Sequence, residues 1–166
     1  MILKVLQAPH PALKTRSQPA QPEDPAVQTL IENMLETMVR HPRCVGLAAP
    51  QVGEARRVIV VDAGRVDKPG SRHGPLVMLN PSIVQRGAPR LSREGCLSIP
   101  DYTGNVLRDE EVSVRGFDRG GKLLEIHAQG FEAIVFQHEV DHLDGKQFLD
   151  RVASLETDVF RRKKYS

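Results

Sequence analysis

The stretch Gln137-His138-Glu139-Val140-Asp141-His142 constrains the fold of this chain more than any other. At 3.6 residues per helical turn, His142 lies one turn beyond His138 on the same face of a helix. Two imidazoles placed in this way can bind one metal ion, and Glu139 can reach a water on that ion. The stretch therefore predicts a metal-binding helix. The alternative is a pair of core histidines that hydrogen-bond to the backbone.

The flanking residues predict that this helix is buried. Gly130 precedes a nearly continuous apolar run from Phe131 to Phe136, and Gly145 follows shortly after His142. Glycine is favoured just past the C-terminus of a helix. Histidines on a buried helix need polar partners, which favours a metal site.

Length and composition predict one soluble domain spanning residues 1–166. The chain is 40% hydrophobic and 27% charged, and its net charge of +2 is too small to indicate nucleic-acid binding, so we expect no DNA partner. No apolar run approaches the roughly 18 residues of a membrane span, and the N-terminus lacks the layout of a signal peptide. Two cysteines do not make a disulfide scaffold. These features predict a reducing, cytoplasmic setting.

Two helices are predicted besides the metal-binding one. Asp24-Pro25 combines an N-cap residue with proline at the first helical position, and this helix should end at His41-Pro42. Its core-facing stripe recurs at helical spacing: Val27, Leu30, Ile31, Met34, Leu35 and Met38. The last stretch, Ser154–Ser166, predicts a short C-terminal helix. Its basic end, Arg161–Lys164, is typical of a solvated helix terminus, with contact to phosphate-rich RNA as the alternative.

Several β-branched or alternating segments predict strands. These segments are Arg57–Asp62, Leu76–Leu79, Ser82–Gln85, Glu111–Asp118 and Lys122–Ile126. Asn80-Pro81 should end the second strand, and Arg119-Gly120-Gly121 should join the last two into a hairpin. The order of elements indicates an α+β fold in which mostly antiparallel strands pack around the central metal-binding helix, with an N-terminal helix and a short C-terminal helix.

A site with two histidines still needs a third donor. Thiolate suits first-row divalent metals, so Cys96 and Cys44 are both candidates on the residues alone. Two histidines and one cysteine would leave a fourth position for water, as in catalytic sites.

Three segments together resemble the peptide deformylase family: Gly46-Leu47-Ala48-Ala49-Pro50-Gln51, Glu94-Gly95-Cys96-Leu97-Ser98 and His138-Glu139-Val140-Asp141-His142. They occur in the family's order and at about its spacing, and the similarity covers nearly the whole chain. The resemblance implies a metal-dependent hydrolase of protein biosynthesis. It would remove the formyl group from the N-terminal formyl-methionine of newly made polypeptides and release formate.

The resemblance also implies a role for each matching residue. The metal ligands would be Cys96, His138 and His142. The metal would be one divalent ion, Fe(II) in the cell, with Zn(II), Ni(II) or Co(II) in purified samples. Glu139 would be the general base and acid, while the Gln51 amide and the Leu97 backbone N–H would stabilise the oxyanion. The substrate-binding residues would be Val45, Gly46, Gly95, Ile134 and Val135. The backbone near Val45, Gly46 and Gly95 would pair with an extended peptide.

Some positions depart from the family pattern or support it indirectly. Cys44 stands where many members have glycine, and Thr103 where some carry an arginine that contacts the peptide. Arg108 should pair with Glu94, with a free surface arginine as the alternative. Asp141 should support the ligand set, with an exposed salt bridge as the alternative.

Two other classes of protein remain open on the residues alone. A zinc protease would need a third ligand after the helix, where 24 residues follow His142 and none is His or Cys. The acidic residues in that stretch keep this class open: Asp144, Asp150, Glu156 and Asp158. A non-catalytic protein with a structural metal would have no use for Glu139. The partners expected for a deformylase are formyl-methionyl nascent peptides and the ribosome. Its expected location is the cytoplasm of a bacterium, or an organelle.

Overall fold

The computed structural model describes residues 1–163. Within them, two α-helices and six strands form one layered α+β unit. The helices are α1 (Pro25–Arg40) and α2 (Phe131–Leu143). The strands are β1 (Gly46–Ala48), β2 (Val58–Val61), β3 (Leu76–Cys96), β4 (Ile99–Phe117), β5 (Leu123–Gln129) and β6 (Val159–Arg161). They pair antiparallel in the order β1-β2-β3-β4-β5, with β6 beside β4.

The N-terminal helix α1 forms where the sequence predicts it. The Asp24 side chain accepts a hydrogen bond from the Ala26 N–H at 2.9 Å, and Pro25 takes the first helical position. The predicted apolar stripe packs against β2, and its members Ile31 and Met34 are fully buried. The residues before Asp24 form a short 3-10 turn and an isolated bridge between Gln18 and Arg56, and the Ser17 N–H donates to the Leu143 carbonyl at the end of α2.

Strand β3 contradicts the prediction that Asn80-Pro81 ends a strand. The strand runs on through this pair to Cys96, with a shift of register between Leu79 and Ser82. Asn80 adopts a left-handed φ of 52°, which asparagine tolerates better than most residues. Its side chain bonds both backbone groups of Ala20, so the irregularity is a fixed bulge rather than a strand end.

The predicted hairpin near Gly120 is confirmed as β4 and β5. Gly121 has a φ of 88°, and the Asp118 side chain accepts hydrogen bonds from the Gly120 and Lys122 N–H groups at 2.9 Å. Strands β3 and β4 form a second, much longer hairpin that the sequence did not predict. Its tight turn consists of Leu97 and Ser98, next to Cys96.

Helix α2 is buried along almost its whole length and packs against β1, β2, β4 and β5. Its apolar residues join one core cluster with Ile59, Met78 and Val114. Gly145 follows with a φ of 76°, where any side chain would collide with the Lys14 carbonyl. The predicted glycine at the end of this helix is therefore confirmed. Neither α1 nor α2 is long and apolar enough to cross a membrane.

The predicted C-terminal helix is wrong for the residues that the structure describes, and residues 164–166 of that prediction lie outside them. Val159–Arg161 instead form β6, which pairs with Tyr102, Thr103 and Gly104 of β4. Valine and phenylalanine favour strands, and β4 offers an edge for them here. The Asp158 side chain also accepts from the Ser154 N–H, which closes a turn rather than a helix.

Candidate metal centre and active site

The three predicted metal ligands come together although they lie on separate elements. Cys96 ends β3, while His138 and His142 lie one turn apart on α2. Cys96 Sγ lies 3.4 Å from His142 Nε2, and that nitrogen lies 3.2 Å from His138 Nε2. All three side chains are buried. Folding therefore concentrates one sulfur and two nitrogen donors in a space shielded from bulk water.

The spacing of these donors fits a single cation. A tetrahedral metal with bonds of about 2.0–2.1 Å to nitrogen and about 2.3 Å to sulfur separates two nitrogens by about 3.3 Å and nitrogen from sulfur by about 3.6 Å. The observed 3.2 Å and 3.4 Å agree with these values to within a few tenths of an ångström. Three protein donors are typical of catalytic rather than structural zinc sites.

Cys44 does not belong to this group within residues 1–163. Its Sγ donates to the Gly46 carbonyl at 3.2 Å. Burial, together with the charge of Glu139, raises the pKa of the Cys44 thiol to about 12. The structure thus separates the two cysteines that the residues alone left as equal candidates, and it places Cys44 in the wall of the neighbouring cavity.

Glu139 lies beside the donor group with one oxygen uncommitted. Its Oε1 is 4.0 Å from His138 Nε2, and its buried Oε2 has no hydrogen-bond partner within residues 1–163. Burial raises the pKa of this carboxyl to about 7, although the nearby His138 opposes the rise. A buried carboxyl in this position can exchange a proton with a water or a substrate held next to the donor group.

Gly46 leaves the space that the Glu139 side chain occupies. A Cβ on Gly46 would come within 2.9 Å of Cγ and Oε1 of Glu139 and within 3.0 Å of Val135. We therefore expect Gly46→Ala to displace the carboxylate and, if Glu139 carries protons at this site, to lower the turnover of the site by about a hundredfold, the effect of a misplacement of roughly 1 Å. Steady-state kinetics, with metal analysis of the same sample, measures this effect.

Gly64→Ala is the matched control, because a Cβ there would meet nothing closer than 3.6 Å. It should retain full activity. A Gly46→Ala enzyme that turns over at the rate of the Gly64→Ala enzyme would show that this close approach does not position Glu139.

A network of buried charged residues contacts the Nδ1 side of the His138 ring. Glu94 Oε1 lies 2.9 Å from His138 Nδ1, and Arg108 donates to both oxygens of Glu94 at 2.6 and 2.9 Å. Arg108 also donates to Asp141 at 2.7 Å. Burial opposes ionisation of Glu94, but the hydrogen bonds from Arg108 and His138 lower its pKa to about 2. The predicted pairing of Arg108 with Glu94 is therefore confirmed.

Asp141 belongs to the same network of charged residues and supports the predicted metal ligand His138 indirectly. Asp141 is buried and binds Arg108 and Arg151, so it supports His138 only through Arg108 and Glu94. Removing one member of such a buried pair typically costs about 3–5 kcal/mol, because the remaining charge loses its partner. The orientation of His138 thus depends on residues from β3, β4 and the far end of α2.

Gln51 presents its amide to the opposite side of the donor group. Its Oε1 accepts from the Ala48 N–H at 2.9 Å, which leaves Nε2 to donate to Cys96 Sγ at 3.3 Å and to Ser98 Oγ at 3.2 Å. The N-terminal segment ties this region together, since Leu6 N–H donates to the Gln51 carbonyl. Because Oε1 is occupied, the orientation of the amide is fixed with its N–H groups towards the site.

Two members of the donor group, Cys96 and His138, line a cavity of about 250 Å³. The cavity is lined by all five predicted substrate-binding residues: Val45, Gly46, Gly95, Ile134 and Val135. Gln51, Leu97 and Glu139 line it as well, whereas His142 is fully buried and does not. Strand β1 ends the sheet on this side, so its outer edge faces no other strand of residues 1–163. The structure thus gathers the predicted residues around one space.

Sequence reasoning missed three neighbours of the site. Arg151 clamps both oxygens of Asp141 at 2.6 and 2.8 Å, and no motif marked it. Ser98 bonds Gln51, and its place inside the cysteine segment was the available signal. Arg162 lines the cavity, although it belongs to the basic run that the sequence assigned to a solvated helix end.

The sequence of this chain is similar to those of known metal-dependent hydrolases of one family. A sequence model of the family described as Polypeptide deformylase matches residues 2–158. The peptide deformylase of Syntrophobacter fumaroxidans is 43% identical over 162 residues, which cover 98% of this chain and 93% of the relative.

Solved structures of peptide deformylases have the same fold as this chain. The crystal structure of a peptide deformylase from Legionella pneumophila has a TM-score of 0.84 and 39% identity over 94% of this chain and 89% of that chain. A class I type b peptide deformylase from Acinetobacter baumannii with Met-Ala-Ser bound has a TM-score of 0.83 and 35% identity over 91% of this chain and 99% of that chain.

Proposed function

This chain belongs to the polypeptide deformylase family, and on that basis we propose which of its residues carry out the reaction. The enzyme is a metal-dependent hydrolase that removes the N-terminal formyl group from newly made polypeptides. One observation carries the assignment of its site. Cys96, His138 and His142 converge on one another, and Cys96 and His138 line the same cavity as Glu139 and Gln51.

Cys96, His138 and His142 would hold one divalent cation through Sγ and the two Nε2 atoms. When bound, such a cation lowers the pKa of its water enough to supply a nucleophile at neutral pH. Helix α2 would then be the central metal-binding helix of the fold. A mixed thiolate and imidazole set accepts Fe(II), which we propose for the cell, and also Zn(II), Ni(II) or Co(II).

Glu139 would move the proton in both halves of the reaction. As a water oxygen attacks the formyl carbon, a Glu139 oxygen accepts the proton that the water loses. When the C–N bond breaks, the same carboxyl delivers that proton to the amine nitrogen of methionine, and formate leaves. Glu139 Oε2 has no hydrogen-bond partner in the described part of the chain, which supports this assignment, because a proton carrier needs an oxygen that other protein groups leave unoccupied.

The Gln51 amide and the Leu97 backbone N–H would stabilise the oxyanion that develops on the formyl oxygen. We expect Gln51→Leu, which removes the donor, to lower kcat by about a hundredfold with little loss of metal. Gln51→Glu keeps an oxygen for the Ala48 N–H but replaces the donor, so it should lose at least as much. Formate-release kinetics of both variants measures the effect.

Gln28→Leu serves as the control for these two variants. The Gln28 side-chain amide is likewise held by hydrogen bonds, which it donates to the Pro22 and Arg119 carbonyls, but it lies on α1 away from the cavity. It should keep the activity of the unmodified enzyme. A Gln51→Leu enzyme with undiminished kcat would remove Gln51 from the oxyanion site.

The substrate would enter as an added strand at the outer edge of β1. Backbone groups near Val45, Gly46 and Gly95 would pair with the extended peptide, and the methionine side chain would enter the cavity beside Ile134 and Val135. The position of β1 at the end of the sheet, next to the cavity, supports this proposal.

Release of formate from formyl-Met-Ala-Ser by the freshly metal-loaded enzyme, compared with cleavage of an internal peptide bond, tests the proposed site as a whole. We expect the first activity and not the second. The bacterial relatives support a cytoplasmic location, with an organelle as the alternative. Contact with the ribosome through Arg161–Lys164 stays a prediction from charge, and Lys164 lies outside the described residues.

A further inference from the structure

Four cations surround the mouth of the active-site cavity, and we call them the basic rim: Arg43, Lys68, Arg93 and Arg162. All four are exposed. The cavity lining contains two acidic residues, Glu94 and Glu139, and both are buried deeper in the site. A chain with a net charge of only +2 therefore concentrates positive charge where a peptide must enter.

The basic rim is not neutralised by carboxylates of the described chain. None of its members forms a salt bridge within residues 1–163. Arginines further along the same hairpin behave differently, since Arg86 pairs with Asp109 and Arg90 pairs with Glu110. As far as residues 1–163 show, the charges of the rim cations remain available to attract an anion.

Aromatic rings and neutral groups hold two of these cations in place. The Arg93 guanidinium lies 3.8 Å from the centre of the Phe160 ring, and its Nε donates to the Asn105 side chain at 2.9 Å. The Lys68 ammonium lies 4.7 Å from the centre of the Phe131 ring. Neither arrangement neutralises the charge, so each fixes a cation without removing its attraction for a carboxylate.

Strand β6 places the fourth rim cation, Arg162, beside Gly95. The Arg162 N–H donates to the Asp101 carbonyl at 2.8 Å, which extends the pairing of β6 with β4. Its guanidinium then fills the space beside Gly95 where a side chain would extend. Gly95 is one of the residues proposed to pair with the peptide backbone, so Arg162 lies next to the path of the peptide after its first residue.

We propose that Arg162 and Arg93 determine specificity by binding a carboxylate of the substrate downstream of formyl-methionine. This inference rests on the proposed function, because it assumes that the peptide leaves the cavity past Gly95. The carboxylate would belong to an aspartate or glutamate side chain of the nascent peptide, and arginine can bind it in bidentate fashion. An exposed ion pair of this kind changes kcat/KM by about two- to fivefold.

The test compares peptide pairs that differ only in charge. Formyl-Met-Ala-Ser-Ala amide is the parent, and glutamate or glutamine replaces the residue at position two, three or four. The amide end removes the terminal carboxylate as a second anion. We expect the ratio of kcat/KM for glutamate over glutamine to reach about two to five at one position at least, and to approach one in about 1 M salt, where charges are screened within roughly 3 Å.

Variants then assign the preference to residues. Arg162→Gln and Arg93→Gln should lower the ratio towards one, while Arg162→Lys, which keeps the charge, should retain most of it. Arg86→Gln is the control, since Arg86 lies outside the cavity lining and pairs with Asp109. A merely structural role of Arg162 would lower the rate on both peptides equally and leave their ratio unchanged.

Two results would overturn the proposal: a ratio of one at every position, or a ratio that Arg162→Gln and Arg93→Gln leave intact. If the ratio is one while ribosomes co-sediment with the unmodified enzyme and not with Arg162→Gln, the basic rim binds RNA instead, and the proposal is also wrong. Failure of the proposed function has a different result, because the enzyme would then release formate from none of these peptides.

Discussion

Glu139→Gln is expected to lower formate release by about a thousandfold or more while the protein still binds one equivalent of metal. Glutamine has nearly the shape of glutamate, so Gly46 and Val135 still have room for it. The amide, however, cannot take a proton from water or deliver one to the methionine amine. Formate release and metal content, measured on the same sample, separate loss of chemistry from loss of the cation.

Glu132→Gln is the matched control for this experiment. Glu132 is a second fully buried carboxylate on α2, but it accepts hydrogen bonds from Ser71 and His73 and does not line the cavity. It should keep most of the turnover. Comparable turnover by the Glu139→Gln enzyme and the unmodified enzyme would exclude Glu139 as the proton carrier.

Cys96→Ser is expected to lose the metal, whereas Cys44→Ser should keep it. Cys96 Sγ lies 3.4 Å from His142 Nε2, so its loss removes one of three donors. Loss of a supporting outer partner already costs about 10–100-fold in metal affinity, and loss of a donor should cost more. Cys44 instead donates to the Gly46 carbonyl, a bond that serine can keep. Metal titration of both variants, with circular dichroism to check folding, measures the difference.

Each alternative outcome identifies a different error. Equal loss in both variants would make Cys44 a second thiol donor. Loss in Cys44→Ser alone would mean that the wrong cysteine is assigned. Normal metal affinity in Cys96→Ser would show that the Cys96 thiolate is not a metal ligand.

Sequence patterns predicted the elements whose start, end and buried face are set by residues close together in the sequence. Helix α1 has its cap at Asp24 and its stop at His41, and the β4–β5 hairpin has Gly121 in its turn, so each carries its own start and end signals. The metal-binding motif on α2 likewise lies within one helix. Local rules of spacing and capping are sufficient for such elements.

Long-range pairing explains what the sequence did not reveal. The outer part of β3 is charged and mostly exposed, so no alternation marked it, and only its partner β4 keeps it extended. The segment Val159–Arg161 becomes a strand because it meets the free edge of β4. Such tertiary contacts override weak local preferences.

In the site, too, local spacing was predictable from sequence, whereas contacts between distant segments were not. The spacing of His138 and His142 follows from one helix, but the choice between Cys44 and Cys96 depends on how β3 returns to α2. The family resemblance favoured Cys96, and the fold supplies the distances. Arg151 and Arg162 reach the site from the C-terminal segment, and nothing in their sequence neighbourhood marks those contacts.

X-ray absorption of the enzyme loaded with one equivalent of Fe(II) or Zn(II) under anaerobic conditions tests the central claim most directly. The fine structure should require one sulfur at about 2.3 Å and two imidazole nitrogens at about 2.0–2.1 Å, with the remaining ligand an oxygen. A shell without sulfur, or one with two sulfurs, would contradict the assignment of Cys96, His138 and His142 as the protein ligands.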